Sequence, residues 1–474
     1  MSADWPLMTL DEIAVPRGAV DGPFGSNLKA SCYVASGIPV IRGSNLAVGL
    51  ERFKSHEFVY VGEDTLERLN RSECRPNDII FTKKGTLGQT GFVPDDGIFE
   101  KYLLSSNQMR LRVDPEKALP EYVYYWVSSS WAIQKIKQDS EFTGVPKINL
   151  DYLKKFPIRL PPLSQQVVIT TVLRSLDKKI ELNHQINQTL EEMAQAIFKS
   201  WFVDFEPVKA KITALEAGGS ADDAELAAMQ AISGKNSDQL QQMASEQPEK
   251  YAELRATAEL FPSAMQESEL GDIPEGWEAS LIGDEVTVVG GGTPSTKTPE
   301  YWQDGDIHWT TPKDLSNLND KILINTERKI TSAGLAKISS GLLPINTVLM
   351  SSRAPVGYLA LAKVPVAVNQ GYIAMKCEKQ LTPEYVLQWC VSRMEEIKNR
   401  SSGTTFAEIS KKNFNAIPVV APHQSPILAY TKQAKSIYNK IEMLAKESRD
   451  LANLRDTLLP QLLSGSITVK DMEA

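Results

Sequence analysis

Two short stretches, PEYVYYWV at residues 120–127 and PEYVLQWC at residues 383–390, decide the interpretation of this chain. In both, Pro-Glu-Tyr-Val is followed by two residues and then a tryptophan. Proline is favoured in the first turn of a helix, and Tyr122, Trp126 and Ile133 are spaced to form one apolar face, so the pattern predicts the start of a helix. Its recurrence 263 positions later indicates that the chain contains one structural plan twice.

Further pairs of similar segments occur in the same order in both halves of the chain. NDIIFTKKGTLG from Asn77 resembles NTVLMSSRAPVG from Asn346, and INLDYLKKFPIRLP from Ile148 resembles ISKKNFNAIPVVAP from Ile409. The offset falls from 273 near the start to 261 near the end, as short loop insertions would produce. We therefore interpret the chain as a tandem duplication. Each copy has a mixed part of short β-rich runs between Gly, Pro and Asn residues, followed by a long helix.

The long helices are expected to begin near Pro161 and near Pro422, where the hydrophobic period changes. Apolar residues recur in one heptad frame along each helix, and adding 261 maps the first frame onto the second. The predicted coiled-coil interface consists of Leu173, Leu176, Ile180, Leu190, Ile197, Ile437, Ile441, Leu444, Leu451 and Leu458. Each stripe is the natural partner of the other, although each helix could instead pack on its own mixed part. If the helices pair, Asn183 and Asn187 opposite Ser448 would set the register.

The composition is that of a globular protein with one acidic segment. The chain has 474 residues, 42% of them hydrophobic, which is enough for about two to four domains. No apolar run approaches the roughly 18 residues of a membrane span, the first residues do not form a secretory signal, and the four cysteines form no C-x-x-C pair. We therefore expect a cytoplasmic protein with free thiols.

Residues 206–270 contain 12 acidic and 5 basic residues and have no counterpart in the second copy. We expect them to form a connector with weak helices near 224–232 and 248–260. The net charge is -8, but outside this segment acidic and basic residues nearly balance. The overall charge is therefore no argument against a nucleic-acid partner.

Taken together, these segments resemble the specificity (S) subunit of type I restriction-modification systems. The resemblance rests on DWPLMTLDEI and GDIPEGWE where the copies begin, on GIPVIRGSNL and GDIHWTTPKDL, on LPPLSQQ and APHQSP where the helices begin, and on IFKSWFVDFEPV and LRDTLLPQLLSGSI where they end. It implies an α+β fold with two similar mixed α/β target recognition domains. They would be related by pseudo-twofold symmetry and joined by two long helices that form an antiparallel coiled coil.

The resemblance also implies the domain bounds. These are 1–162 for the first target recognition domain, 163–205 for the first helix, 206–270 for the acidic connector, 271–422 for the second target recognition domain, 423–465 for the second helix and 466–474 for a C-terminal tail.

A duplicated reader can recognise two different half-sites, so the resemblance implies a function as well. We expect a sequence-specific double-stranded DNA-binding subunit that reads a bipartite target with a fixed gap and positions methyltransferase and restriction subunits. The family implies two methyltransferase (M) subunits, which methylate adenine with S-adenosylmethionine, and restriction/translocase (R) subunits, which use ATP and Mg. This chain itself would bind no cofactor and no membrane.

Such complexes act in DNA methylation and phage defence, and we expect this chain in the cytoplasm of a bacterium or archaeon, associated with the nucleoid. The alternative is a coiled-coil assembly scaffold without its own DNA readout, which the acidic balance and the long apolar stripes would also suit.

Loops at matching places in the two copies supply the candidate DNA contacts. Glycine lets backbone N–H groups approach phosphates, Ser, Asn and Lys donate hydrogen bonds, and Arg can read guanine with a fork of two donors. The candidates are Ser26, Asn27, Lys29, Arg42, Ser44, Lys83, Lys84, Lys147, Thr293, Ser295, Lys297, Thr311, Lys313, Ser352, Arg353, Thr404 and Thr405. Solvated turns and strand ends would have the same composition. The pairs Asn107–Gln108 and Asn369–Gln370 could read adenine or be buried structural amides.

The sequence contains no complete catalytic motif that we recognise. GGGTP near Gly290 lacks the Gly-Lys-Ser/Thr of a phosphate loop, and no Asn-Pro-Pro-aromatic run typical of adenine methyltransferases occurs. Asp78 beside Lys83 superficially suggests a nuclease strand, but the second copy has Thr347 in place of the carboxylate. The four histidines lack the spacing of metal ligands. We therefore expect a non-catalytic subunit without a metal site.

Overall fold

The computed structural model describes residues 4–55, 57–95, 97–140, 145–316, 318–402 and 407–467. The chain divides into two units, the first formed by residues 1–179 with 450–474 and the second by residues 180–449. Two long helices, Leu163–Phe202 and Gln424–Ser464, contribute residues to both units. In the sequence, each mixed part is followed by its own long helix. In the structure, each unit contains one mixed part and a portion of both long helices.

The first unit contains the strands β1 Leu7–Thr9, β2 Ala14–Asp21, β3 Tyr33–Val34, β4 Ile38–Ile41, β5 Ala47–Val48, β6 Val59–Val61, β7 Glu73–Cys74, β8 Ile79–Thr82, β9 Gln89–Phe92, β10 Tyr102–Leu104, β11 Gln108–Val113 and β12 Pro157–Arg159. Its helices are α1 Glu63–Arg68, α2 Pro120–Val127, α3 Ser130–Gln138, α4 Leu150–Lys155 and the first part of α5 Leu163–Phe202. Short 3-10 turns occur at Ala30–Cys32, Gly43–Asn45 and Asn70–Ser72. One five-stranded sheet has the order β2-β11-β8-β9-β5, and the other has the order β3-β6-β4-β10-β7.

The second unit begins within α5 and continues with the helices α6 Glu206–Glu216, α7 Ala221–Ser233, α8 Ser237–Glu246 and α9 Pro248–Glu259. Its strands are β13 Met265–Ser268, β14 Gly271–Pro274, β15 Glu278–Leu281, β16 Thr287–Val289, β17 Ile307–Thr310, β18 Ile322–Leu323, β19 Arg328–Ile330, β20 Val348–Ser351, β21 Leu359–Ala362, β22 Val366–Val368, β23 Tyr372–Lys376 and β24 Pro418–Ala421. The other helices are α10 Ile282–Glu285, α11 Pro312–Ser316, α12 Ser332–Leu335, α13 Pro383–Ser392, α14 Met394–Asn399, α15 Lys411–Asn415 and α16 Gln424–Ser464, with a 3-10 turn at Pro299–Tyr301. A five-stranded sheet has the order β16-β23-β20-β21-β18, and a three-stranded sheet has the order β19-β17-β22.

The strand order confirms the predicted duplication. The strands β2-β11-β8-β9 of the first unit have their counterparts in β16-β23-β20-β21 of the second, with the same antiparallel pairing. The edge strands differ, because β5 pairs antiparallel with β9 whereas β18 pairs parallel with β21. The parallel pair β4 and β10 corresponds to the parallel pair β17 and β22. The short antiparallel pair β1 and β12 corresponds to β15 and β24. Each copy is therefore a mixed α/β part with the same central strand pairings, as the sequence predicts, and the copies differ at the edges of their sheets.

In each copy the Pro-Glu-Tyr-Val pattern forms a helix that is hydrogen-bonded to the last strand before the long helix. The helices α2 and α13 begin at the two prolines, as predicted. The Tyr122 hydroxyl donates to the Arg159 carbonyl oxygen of β12 at 2.9 Å, and the Tyr385 hydroxyl donates to the Val420 carbonyl oxygen of β24 at 2.9 Å. Both tyrosines are buried, and a buried hydroxyl needs such a partner. The same bond at the same place explains why the pattern occurs twice.

The two long helices pair in antiparallel direction, as contacts within the second unit show. Asn183 Nδ2 donates to Ser448 Oγ at 3.3 Å, and Asn187 Nδ2 donates to the Ile441 carbonyl oxygen at 3.4 Å. The partner positions on α16 therefore descend as those on α5 rise. These are the polar residues expected to face one another, and their role in setting the register remains a hypothesis.

The predicted coiled-coil leucines and isoleucines are buried or half-buried in every case. Leu173, Ile441 and Leu444 are buried, and the other seven are half-buried. In the first unit, Leu173 of α5 shares a core with Leu459 and Leu462 of α16 and with residues of the mixed part. The apolar stripes are therefore covered both by the partner helix and by the mixed part, so the two packing arrangements considered from the sequence occur together.

A buried polar cluster fixes the mixed part of the first unit to both helices. The Tyr125 hydroxyl of α2 donates to Asp177 Oδ2 of α5 at 2.5 Å, and Arg455 Nη1 of α16 donates to Asp177 Oδ1 at 2.8 Å. Arg52, from the loop after β5, donates to the Tyr125 hydroxyl at 2.7 Å and forms an ion pair with Glu121. We call these residues the first seat.

The second unit has a polar cluster at equivalent positions, with different side chains. Gln388 of α13 and Tyr438 of α16 correspond to Tyr125 and Asp177 by offsets of 263 and 261. Gln388 Nε2 donates to the Tyr438 hydroxyl at 2.6 Å and to Glu191 Oε1 of α5 at 2.8 Å. Lys321 Nζ also donates to Glu191 Oε1, at 3.1 Å. We call these residues the second seat.

The acidic segment after α5 is more ordered than the sequence suggested. It was expected to be a connector with two weak helices, but it forms α6 to α9, whose core contains Ala228, Met229, Leu240 and Ala258. Local signals explain the additional helices, because Ser220 and Asn236 form capping boxes at the starts of α7 and α8. Lys211 is buried and pairs with Glu225 at 2.7 Å, which ties α6 to α7. The segment is therefore a small helical module rather than a loose connector.

Replacing Asp177 with alanine removes the carboxylate that pairs with Arg455 at 2.8 Å and with Arg52 at 3.5 Å. Asp456 and Glu121 then remain as the acidic partners of the two arginines. Breaking a buried ion pair in this way costs roughly 3–5 kcal/mol of unfolding free energy, so the urea midpoint of the full chain should fall markedly. Asp456 is the matched control, because its exposed carboxylate also pairs with Arg455, at 2.9 Å. Asp456→Ala should cost about 1 kcal/mol or less. Equal losses in the two variants would contradict the role assigned to the first seat.

Candidate nucleic-acid interface

In the first unit, the sheet brings three of the candidate loops together. The end of β2 and the end of β8 both lie beside the start of β11, because both strands pair antiparallel with β11. Gly22 N donates to the Gln108 carbonyl oxygen at 2.9 Å, and Lys83 N donates to the Asn107 carbonyl oxygen at 2.8 Å. Lys83 Nζ also forms an ion pair with Asp21 at 3.0 Å. The loop after β2, the loop after β8 and the turn before β11 therefore form one surface.

The loop after β2 has a defined shape, and its predicted donors Ser26, Asn27 and Lys29 are exposed. Asn27 N donates to the Phe24 carbonyl oxygen at 2.8 Å, which closes a tight turn. Glycine is required at Gly22, because a Cβ there would lie 2.0 Å from the Ser105 carbonyl oxygen. The loop can therefore present exposed hydroxyl, amide and ammonium groups to a ligand at fixed positions.

Lys84, in the loop after β8, and Lys147 lie opposite one another in an isolated β-bridge. The loop that contains Lys147 is therefore part of the same surface. Ser44 is exposed, and Arg42 lies in the turn after β4, where its Nη2 donates to the Glu57 carbonyl oxygen at 3.0 Å. That bond occupies one donor of the guanidinium, and Nε is buried, so only part of the fork can face a ligand. Gln108, in contrast, is buried, which supports the structural interpretation of that amide.

In the second unit, the Gly-rich loop lies against the turn before β23. Gly292 N donates to the Val368 carbonyl oxygen at 3.0 Å, and Thr293 Oγ1 donates to Gln370 Oε1 at 2.7 Å. A Cβ on Gly291 would lie 1.7 Å from the Val368 carbonyl oxygen, so this position also requires glycine. Ser295 and Lys297 are exposed beyond this contact. The predicted loop is therefore held in place at its base and open at its tip.

The loop after β20 repeats the arrangement of the first unit. The bridge between Arg353 and Glu408 corresponds by sequence to the bridge between Lys84 and Lys147. Arg353 Nη1 lies 3.9 Å from Glu408 Oε2. Ser352, however, is only 3% exposed and bonds through its backbone to the Gly371 carbonyl oxygen at 2.8 Å. The structure therefore removes Ser352 from the candidate contacts, because the residue continues the strand ladder instead of facing solvent.

Two further candidates are engaged within the second unit itself. Thr311 Oγ1 donates to Asp314 Oδ2 at 3.0 Å. Lys313 Nζ donates to Glu327 Oε2 at 2.8 Å, and this hydrogen bond raises the pKa of Lys313. Burial raises the pKa of Tyr372, whose hydroxyl donates to the Thr311 carbonyl oxygen at 2.6 Å. Lys313 is exposed and remains a candidate. Thr404 and Thr405 lie outside the described residues.

Some residues at these loops were not found from the sequence. Lys411 reaches the Gly-rich loop, since its Nζ lies 2.8 Å from where a Cβ on Gly290 would be. Arg328 stacks on Trp302, with its Cζ 3.5 Å from the ring centroid. Lys411 lies two residues after Ile409 in the third loop pair, which could have indicated it. Arg328 gives no such signal, because its aromatic partner lies 26 positions away in the sequence.

Other features of the described residues do not indicate catalysis at these loops. In the described part of the chain, no group of three or more His, Cys, Asp or Glu residues could hold a metal ion. A mostly apolar cavity of about 680 Å³ in the first unit is lined by Trp126, Trp131, Leu459 and Leu463, among others, and shares no lining residue with the candidate loops. A search of the helices within the described ranges finds none with the length and apolarity needed to span a membrane.

Comparison with known proteins places both copies in one family. The type I restriction modification DNA specificity domain matches residues 33–192 and 274–441. The chain is 32% identical over 408 residues to the type I restriction enzyme HindI specificity subunit of Haemophilus influenzae, covering 84% of this chain and 88% of that protein. It is 37% identical over 168 residues to the MjaIX specificity subunit of Methanocaldococcus jannaschii, covering 35% of this chain and 38% of that protein.

Among solved structures, the type I restriction-modification S subunit from M. genitalium is similar with a TM-score of 0.48 at 14% identity, covering 97% of this chain and 96% of that one. The match of the DNA specificity domain to both copies, together with the relative at 32% identity along most of the chain, shows that this protein belongs to the specificity subunits of type I restriction-modification systems.

Proposed function

We propose that this subunit reads a bipartite double-stranded DNA target with a fixed gap and positions methyltransferase and restriction subunits on it, without catalysing a reaction itself. The observation that carries the proposal is the pair of seats. In one unit Asp177 binds Tyr125 and Arg455, and in the other Gln388 binds Tyr438 and Glu191, so each mixed part is fixed to both long helices. Two readers held on continuous helices suit a target made of two separated half-sites.

The exposed hydrogen-bond donors of the loops differ between the two copies, which suits recognition of two different half-sites. The first unit offers Ser26, Asn27, Lys29 and Lys84, while the second offers Ser295 and Lys297. Lysine and backbone N–H groups neutralise phosphates and fix the register on the duplex, whereas forked or paired donors distinguish bases. Thr293, Thr311, Lys313 and Arg353 complete the proposed surface of the second unit, and Arg42, Ser44, Lys83 and Lys147 that of the first.

The gap between half-sites follows from the length of the helices. The helices α5 and α16 have 40 and 41 residues. At about 1.5 Å per residue, each spans about 60 Å. DNA rises about 3.4 Å per base pair, so a helix pair of constant length would select targets with a constant number of unread pairs.

Inserting one heptad after Lys179 in α5 and one after Arg449 in α16 should lengthen the preferred gap. Seven residues add about 10 Å, or about three base pairs, and a whole heptad preserves the pattern of the apolar stripe. The measurement is the spacing of methylated adenines mapped in cells that contain the partner subunits. The matched control is a heptad inserted after Gly234, between α7 and α8, which should leave the gap unchanged. If the double insertion preserves methylation at the original gap, the helices do not set the spacing.

Exposed apolar residues at repeat-equivalent places support two copies of one partner. Leu182 of α5 and Met443 of α16 are separated by 261 positions and are 49% and 50% exposed. Two more pairs share this offset and are also exposed: Val167 with Leu428, and Met193 with Leu454. Apolar side chains repeated on the outer face of a helix are typical of an interface. We assign one such face on each helix to one adenine methyltransferase (M) subunit.

Replacing Leu182 or Met443 with glutamate should remove one M subunit from the complex, because each substitution places a charge in one apolar interface. Native mass spectrometry should give two M subunits for the unchanged chain, one for each single variant and none for the double variant. Gln188→Glu is the control, because it adds a charge at an exposed polar position of α5. Two M subunits retained by the double variant would contradict the assignment.

The remaining partners follow from the family. The M subunits would supply S-adenosylmethionine chemistry, and restriction (R) subunits would supply ATP-dependent cleavage with Mg, while this chain binds no cofactor. Such a complex acts on DNA at the nucleoid, in the cytoplasm. A coiled-coil scaffold without DNA readout is the weaker alternative, because both copies match a DNA specificity domain.

A further inference from the structure

We propose that Arg328 reads a base, guanine by its chemistry, in the half-site recognised by the second unit. The proposal rests on the function proposed above and names a residue that determines its specificity. Three features of the second unit support it: a stacked guanidinium, a rigid aromatic support shared with the Gly-rich loop, and guanidinium donors that make no other bond among the described residues.

The Arg328 guanidinium lies over the Trp302 ring and close to the Trp309 ring. Its Cζ is 3.5 Å from the centroid of the Trp302 ring and 5.4 Å from that of Trp309. The two indoles meet edge to face, with centroids 5.0 Å apart and planes at 87°. An arginine stacked on an aromatic face loses less rotational freedom when it forms a hydrogen bond, because its planar fork is already oriented. The guanidinium is therefore organised before any ligand binds.

The two tryptophans beside Arg328 belong to a small hydrophobic core of the second unit. Arg328 is the first residue of β19 and pairs with Trp309 of β17. Trp309 and Ile330 are buried in a small core with Ile338 and Ala367, against which Trp302 packs. Because neighbouring side chains in a strand point to opposite faces, the register fixes the face on which Arg328 emerges. Arg328 itself is exposed.

The same two indoles hold the Gly-rich loop. Trp302 Nε1 donates to the Ser295 carbonyl oxygen at 3.0 Å, and Trp309 Nε1 donates to the Gly292 carbonyl oxygen at 3.1 Å. The exposed donors of that loop, Ser295 and Lys297, are therefore placed by the groups that also place Arg328. A loop that contacts phosphates and an arginine that contacts a base edge would share one rigid frame.

The donors of Arg328 remain available. Across the ranges that the structure describes, the Arg328 guanidinium makes no ion pair and no side-chain hydrogen bond, and the adjacent Glu327 bonds to Lys313 instead. A planar fork of N–H donors matches the O6 and N7 acceptors of guanine in the major groove. The exposed Lys329 and Lys297 can neutralise phosphates without such orientation, so a stacked fork is better suited to a base.

The first unit does not repeat this device. At the matching position of its sheet, Val59 of β6 pairs with Val40 of β4, in place of Arg328 and Trp309. Substitution of Arg328 should therefore change only one half-site, and the other half-site of the same target is an internal control.

The test is selection of bound duplexes from a random library by the full chain with its methyltransferase partner. Arg328→Ala and Arg328→Lys should each lose a guanine preference at one position of one half-site, by about tenfold or more. The other half-site and the gap should not change. Arg328→Lys should keep the salt dependence of binding, because the charge remains. Trp302→Leu should weaken the same preference, since the guanidinium loses its support. Arg255→Ala, in the helical module, is the matched control for loss of an exposed arginine.

The alternatives give different results. If Arg328→Lys retains the base preference and Arg328→Ala weakens binding to all sequences alike, Arg328 contacts phosphate and the proposal is wrong. If both variants select the original target and only the melting temperature falls, the stack is structural and the proposal is wrong. An unchanged chain that selects no sequence at all would refute the function on which the inference rests.

Discussion

The rest of the structure depends on the buried polar contacts that fix each mixed part to both long helices. In the first unit, the Asp177 carboxylate is shared by Tyr125 from the mixed part and Arg455 from α16. Removing such groups from water is costly, and the cost is recovered only when every partner is in place. A small rotation of the mixed part would leave a buried charge without its partner. We infer that the seats determine orientation more than they add stability.

The two seats share two positions of the repeat, Tyr125 with Gln388 and Asp177 with Tyr438, but use different chemistry. In the first seat, an acid on α5 accepts from a tyrosine of the mixed part and an arginine of α16. In the second seat, an acid on α5, Glu191, accepts from Gln388 of the mixed part and from Tyr438 of α16, which lies 3.3 Å away. The acid has thus changed position, because Tyr438 stands at the repeat position of Asp177, while Glu191 corresponds to Ala452. A mixed part placed on the other seat would meet unmatched groups, so the seats also determine which mixed part belongs to which position.

Local patterns predicted much of this fold, whereas contacts between distant residues were not predictable. The duplication, the helices at Pro120 and Pro383 and the apolar seam follow from repeats and periods that lie within short windows. The seats could not be predicted from such windows, because the hydrogen bond between Gln388 and Glu191 joins residues that are 197 positions apart. Ser352 was misjudged because a strand end looks the same in sequence whether its last residue faces solvent or continues the ladder.

The packing of the helical module and the Arg328 stack were not predicted, although α7 and α9 lie where helices were expected, near 224–232 and 248–260. Composition suggested a connector, since the segment is rich in Ala, Gln, Glu and Ser, yet Met229 and Leu240 form a core with Ala228 and Ala258 where α7, α8 and α9 pack closely. The partners of Arg328 belong to other elements of the same unit. The individual DNA contacts remain predictions for the same reason, because one loop can present different side chains to different bases.

A duplication on a single chain has a consequence that two identical chains could not provide. A homodimer presents the same surface twice, so its two half-sites are related by symmetry. Here one copy carries Arg328 on Trp302 where the other carries Val59, and each copy has its own loop donors. Because each copy accumulates substitutions separately, the exposed loops of one copy can change while the buried contacts of both copies are retained. The exposed loops, in which the two copies differ, are therefore separate from the buried contacts that hold each mixed part on the helices.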